Sequence, residues 1–169
     1  MIKTKRLAFL SIMVSQALVL SIIESWIPLP FVMPGVKLGL ANIVILVVIV
    51  FFGLKDALAV MAVRCVLASI FGGGFVMFLF SLAGGTLSTV IMAFLYKRML
   101  KVFSLVGVSV AGSVAHNLGQ LTVAGFIMKD LSVYSYLPVL LVSGAVMGCF
   151  IGLCGNFLTE ALRKTGKLI

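Results

Sequence analysis

Carboxylates are what this chain has least of. Four acidic side chains (Glu24, Asp56, Asp130 and Glu160) stand against thirteen lysines and arginines in 169 residues. They are scattered, so no acidic cluster is available for a hard cation or for paired acid–base work. His116 is the single histidine, and one imidazole without clustered acids excludes most catalytic metal sites. Ser113 lies near His116, but no acidic residue is nearby to orient a triad, which disfavours nucleophilic hydrolysis. No glycine-rich loop ending in Lys-Ser or Lys-Thr is present, so the chain hydrolyses no ATP. Phe71-Gly72-Gly73-Gly74-Phe75 reads as a turn between apolar segments. The three cysteines, Cys65, Cys149 and Cys154, are odd in number and form no Cys-x-x-Cys pair. Inside apolar runs they read as small packing residues, not as a disulfide framework or a metal site.

What is abundant is hydrocarbon. Hydrophobic residues make up 63% of the chain and charged residues 10%. A soluble domain is nearer half apolar and a quarter charged, so this composition is that of an integral membrane protein. The net charge of +9 does not point to nucleic acid, because the basic residues lie between apolar runs and form no patch. The N-terminus imitates a secretory signal, with Lys3, Lys5 and Arg6 ahead of an apolar run. That run is long, however, and Glu24-Ser25-Trp26 follows it instead of a small-x-small site, so it is read as a retained first span.

Apolar segments about 17–25 residues long cross a bilayer. They are predicted at about 7–26, 38–52, 57–71, 75–96, 102–128 and 134–162, giving one all-α transmembrane domain of six helices over residues 1–169. The second and third are short, which predicts tilted helices and ends shielded by protein. Breaks have local causes: Pro28, Pro30 and Pro34, then Gly53, then the three glycines from Gly72. Basic residues cluster at the N-terminus, at Lys97, Arg98 and Lys101, and at Arg163, Lys164 and Lys167. That pattern puts both termini on the cytoplasmic side. Small residues recur every four positions at Gly144, Gly148 and Gly152, at Ala111, Ala115 and Gly119, and at Ser81, Gly85 and Thr89. Such stripes let backbones approach within a bundle.

Against this background the polar residues stand out. At 100° per residue, Ser109, Ser113, His116, Asn117 and Gln120 fall within about a 100° arc of the fifth helix. Unpaired amides cannot face lipid, so this arc faces other helices or a cavity. Arg64 lies eight residues beyond Asp56, about 12 Å into a core about 30 Å thick, where it needs an anion or water. An internal pair with Glu24 is one solution, and an anionic or carbonyl group on a substrate is another. Pro34 and Gly35 break the chain before the second span, with Lys37 at its mouth and Asn42 directed inward. Together, Glu24, Lys37, Asn42, Arg64, His116, Asn117 and Gln120 are the expected lining of an outward-facing binding site. Their cationic and amide character suits a small anionic or amphipathic solute.

Ser21-Ile-Ile-Glu24, Pro34-Gly-Val-Lys-Leu-Gly-Leu-Ala-Asn42, Arg64, Gly84-Gly85 and Ala115-His-Asn-Leu-Gly-Gln120 resemble the prokaryotic Gx transporter family. Its members are often labelled heptaprenyl diphosphate synthase component I. That family looks like the S components of energy-coupling factor (ECF) transporters. The resemblance implies a six-helix subunit of the prokaryotic cytoplasmic membrane that binds a vitamin-like solute from outside. It also implies reorientation on coupling to ATPase subunits, with no cofactor and no enzymatic activity of its own. S components commonly carry an alanine-x-x-x-alanine pair on the first helix for docking the coupling subunit; here the nearest equivalent is Ser11 and Ser15. The synthase label implies an alternative role, a non-catalytic membrane component of polyprenyl diphosphate or quinone synthesis. Lys37 and Arg64 would then grip the diphosphate. A catalytic role of that type is excluded, since such synthases hold magnesium with aspartate-rich clusters and this chain has only Asp56 and Asp130, far apart.

Overall fold

Helix boundaries follow the local chemistry of the chain. A computed structural model describes residues 3–26, 39–99 and 102–165. Within them lie six helices: α1 (Lys3–Trp26), α2 (Asn42–Phe52), α3 (Leu54–Ala68), α4 (Gly74–Met99), α5 (Leu105–Met128) and α6 (Leu137–Lys164). A π-helical turn, Ser69–Gly73, joins α3 to α4, and a 3-10 turn, Leu131–Tyr136, precedes α6. No strand occurs among the described residues.

Each predicted span overlaps one of these helices, but several starts move. The second was expected from residue 38 and begins at Asn42, because Gly39 takes φ = 86° and its carbonyl accepts from Asn42 N at 2.8 Å. That left-handed conformation is open to glycine without steric cost and stops the helix from starting earlier. The fifth starts at Leu105, not 102, because Ser104 is its cap, with Oγ accepting from Gly107 N at 3.2 Å. Between α2 and α3 a single residue turns the chain, Gly53 with φ = 82°. The prolines expected to break the chain after α1 lie outside the described residues.

Three segments are long and apolar enough to cross a membrane: Thr4–Trp26, Gly74–Met99 and Leu131–Lys164. Helix α5 matches α1 at 24 residues, but its polar residues keep it out of that group. Helix α2, with 11 residues, spans only about 16 Å at 1.5 Å per residue. It is enclosed by protein, with Asn42 and every residue from Val44 to Ile49 buried. A short helix that is apolar all round belongs in an interior.

The exterior is apolar in turn. Leu7, Ile12 and Val19 on α1 and Val142, Val146, Phe150 and Phe157 on α6 are exposed, while Asn42, Arg64, His116 and Gln120 are buried. This inversion of the soluble pattern is what a lipid surround requires.

Two kinds of packing hold the bundle. Around α2 the core is aliphatic, with Met13, Ala17, Ile45, Leu46, Val47, Val48, Val60 and Met61 in one cluster. Helices α4, α5 and α6 share a smaller side-chain cluster with Phe80, Leu121, Ala124 and Leu140, and at several glycines they touch through backbone. A Cβ added at Gly148 would lie 2.5 Å from Val110 Cα, and one at Gly152 would lie 2.6 Å from Val106 Cα. At Gly119 it would meet Ala83 O at 2.8 Å. The glycine stripe of α6 therefore packs within the bundle, as small residues do between membrane helices. At the end of the bundle where α1 and α3 begin, Arg6 Nη2 donates to both oxygens of Asp56, at 2.8 and 2.6 Å.

A buried polar cluster at the seam of five helices

The aliphatic and glycine-packed regions meet at a cluster of polar side chains. Helix α1 supplies Ser21 and Glu24, three residues apart and so on one face. Both are buried. The Glu24 Oε1 accepts a hydrogen bond from Gly39 N, tying the end of α1 to the turn that opens α2. One turn of chain later Asn42 begins α2, so the positive end of that helix dipole points into the cluster. Asn42 is 1% exposed, and neither its Nδ2 nor its Oδ1 has a hydrogen-bond partner.

Helix α3 contributes Arg64, 3% exposed, whose Nη1 donates to Ser21 Oγ at 2.8 Å. The alternative pairing with Glu24 is not what the structure shows: the described ion pair is Arg6–Asp56, and Arg64 makes none among the described residues. Its Nε and Nη2 have no acceptor.

Helix α4 makes room with two glycines. A Cβ at Gly84 would lie 3.1 Å from His116 Cε1 and 3.0 Å from Gln120 Cγ. At Gly85 it would lie 3.4 Å from Arg64 Nη2. Helix α5 brings His116 and Gln120, one turn apart and both buried. His116 also reaches the α2 turn, its Cδ2 lying 3.6 Å from where a Gly39 Cβ would be. Contacts thus run from Glu24 through Gly39 to Asn42 and His116, and from Gly84 and Gly85 to Gln120 and Arg64.

Of the seven residues expected to line the site, Glu24, Asn42, Arg64, His116 and Gln120 come together here. Asn117 turns the other way. Its Nδ2 donates to Leu140 O at 2.7 Å, and a Cβ at Gly144 would lie 2.8 Å from the same atom. The polar arc of α5 therefore divides, because α5 is flanked by α4 on one side and α6 on the other. Ser109 and Asn117 lie against α6, and His116 and Gln120 against α4. Lys37 lies outside the described residues. Ser21 was missed as a site residue, although its place one helical turn before Glu24 was a usable signal.

Ser11 and Ser15 are exposed on α1, their hydroxyls donating to Leu7 O and Ser11 O one turn back. Ser15 also edges a groove of about 370 Å³ walled by Gln16, Val19, Leu20, Ile43, Val44 and Leu158. No group of three or more metal-binding side chains occurs among the described residues.

An all-helical membrane chain with this interior has a counterpart among solved proteins. The fold matches a structure described as the S component of a bacterial ECF transporter, with a TM-score of 0.69. The match covers 98% of this chain and 99% of the other at 21% identity. By sequence the chain belongs to the heptaprenyl diphosphate synthase component I family, whose model matches residues 13–158. No curated protein matches it.

Proposed function

We propose that this chain is the solute-binding membrane subunit of a transporter of the ECF S-component kind. The observation that carries this reading is the polar cluster, with both polar atoms of the Asn42 side chain and the Nε and Nη2 of Arg64 buried and unsatisfied at the seam of the bundle. A buried amide or guanidinium without partners is costly, and a bound solute is the partner that removes the cost. The S-component fold supports the same role. In this reading all six helices span the membrane, with α2 and α3 as short members shielded by their neighbours. The basic segments place both termini in the cytoplasm. The solute is small and anionic or amphipathic, and it enters from the outer face. Glu24, Asn42, Arg64, His116 and Gln120 contact it, with Lys37 at the margin. Energy comes from separate coupling and ATPase subunits, which dock on the exposed face of α1 around Ser11 and Ser15. The chain itself catalyses nothing.

The family's name favours a second reading, a non-catalytic membrane component of polyprenyl diphosphate synthesis. Mass spectrometry of small molecules that co-purify with the protein separates the two. A water-soluble solute supports transport, whereas a prenyl chain supports the accessory role. Arg64→Ala and His116→Ala should each weaken binding of the identified solute about tenfold or more, the loss expected of a buried charge-assisted contact. Unchanged affinity in both variants would remove the cluster as the binding site.

A further inference from the structure

The guanidinium of Arg64 is only partly used. Nη1 is held by Ser21 Oγ at 2.8 Å. Nε and Nη2 are buried without an acceptor, and the Nε–H and one N–H of Nη2 lie along one edge of the planar group. That edge has the geometry of a side-on fork, with two parallel donors spaced for the two oxygens of a carboxylate. Every acidic side chain of the protein lies among the described residues, and none pairs with Arg64. Gly85 packs against Nη2, where a Cβ would lie 3.4 Å away.

Asn42 adds a second requirement. Its Nδ2 donor and Oδ1 acceptor are both buried and both unpartnered. A neutral group offering one acceptor and one donor side by side, as an amide or lactam does, satisfies both at once. Arg64 is the single buried Lys or Arg among the described residues, and Glu24 already places a carboxyl group in the cluster. The side-on fork of Arg64 matches the two oxygens of one carboxylate.

We propose that the solute is a monocarboxylate, gripped side-on by Arg64 Nε and Nη2, that also carries an amide-type donor–acceptor pair read by Asn42. This rests on the solute-binding reading above. Ser21 acts as a positioning residue, since it turns the free edge of the guanidinium toward the ligand without touching it.

The test uses the full-length protein in lipid nanodiscs and three probes of nearly equal size. These are N-acetylglycine, its neutral amide N-acetylglycinamide, and acetamidomethylphosphonate. N-acetylglycine should raise the melting temperature in a saturable way, and the other two should not. Arg64→Lys keeps the charge but loses the fork, and should weaken N-acetylglycine about tenfold or more. If that variant fails to fold, Gly85→Ala serves instead. Its added carbon meets Met61 Cγ and Sδ at 3.0 Å, the end of a flexible side chain, and crowds Nη2 at 3.4 Å. It should weaken N-acetylglycine while leaving the unliganded melting temperature within a few degrees. Stabilisation by the phosphonate or the neutral amide instead of the carboxylate overturns the assignment. So does a co-purifying solute that lacks a carboxylate, which leaves the transport reading intact. No bound solute and no shift with any probe overturns both.

Discussion

Helices α2 and α6 meet at Gly155, where an added Cβ would touch Leu46 Cδ2 at 2.8 Å. One turn earlier on α6, at Gly152, the neighbour is backbone, Val106 Cα at 2.6 Å. Within about 5 Å of helix axis the packing changes from side chain against glycine to main chain against glycine. Around α2 the volume is filled by leucine, isoleucine, valine and methionine, which can rotate and yield. At Gly148 and Gly152 against α5, and at Gly119 against α4, the contact atoms are main chain and belong to helices held by their own hydrogen bonds, so they cannot rotate away. The polar cluster occupies the junction. Its arginine and asparagine come from the aliphatic part, and its histidine and glutamine come from the glycine-packed part. A site built this way has one wall that can adjust to a ligand and one that cannot.

Substitutions should separate the two regions by sign of volume. The largest effect is expected where the aliphatic part is hollowed. Leu46 is completely buried, and Leu46→Ala should destabilise the fold by about 2–5 kcal/mol, read as a lower midpoint in detergent-driven unfolding. A loss below about 1 kcal/mol would mean that the region collapses to fill the space. Next comes overfilling of the rigid part. Gly148→Ala drives a carbon to 2.5 Å from Val110 Cα, which neither helix can accommodate without moving, at about 1–3 kcal/mol. Gly155→Ala on the same helix should cost clearly less, because Leu46 can change rotamer. Equal losses for the two would abolish the distinction drawn here.

The smallest effect lies outside both regions, at the turn between α5 and α6. Asp130 accepts from Ser132 N at 2.9 Å and from Ser132 Oγ at 2.6 Å. These bonds, the side-chain one first, hold its carboxyl below the ordinary aspartate value. A lowered folded-state pKa contributes stability above the unfolded value of about 3.9, and that contribution is lost as pH falls through the native value. Protection of the Leu131–Tyr136 amides, taken relative to their intrinsic exchange rates at each pH, should therefore fall at acid pH in the wild type and not change with pH in Asp130→Asn. Identical acid profiles in the two would show that the carboxylate does not hold the turn.

Much of this was legible in advance, for reasons that differ from residue to residue. The six helices could be read because a 63% apolar chain must satisfy its backbone within each segment. Arg64 was conspicuous because a guanidinium amid apolar residues needs an anion or water. The grouping of His116 with Gln120 followed from their spacing of four. Asn117 shows the limit of such reasoning. Angular position on α5 puts it beside His116, but α6 lies on that side, and the Leu140 carbonyl claims its amide. Ser21 illustrates the reverse: its hydroxyl looks like ordinary helix-packing polarity until Arg64 is seen to reach it.

Composition and periodicity thus settle that the chain is an all-helical membrane protein and which residues are too polar to face lipid. Those are properties of one residue and its solvent. Which polar groups meet is decided by the approach of helices, and that depends on glycines whose effect appears only when a second backbone is present. The free edge of Arg64 is such a property. It exists because Ser21 takes one nitrogen, the α4 backbone at Gly85 packs against another, and no acidic side chain among the described residues pairs with the rest.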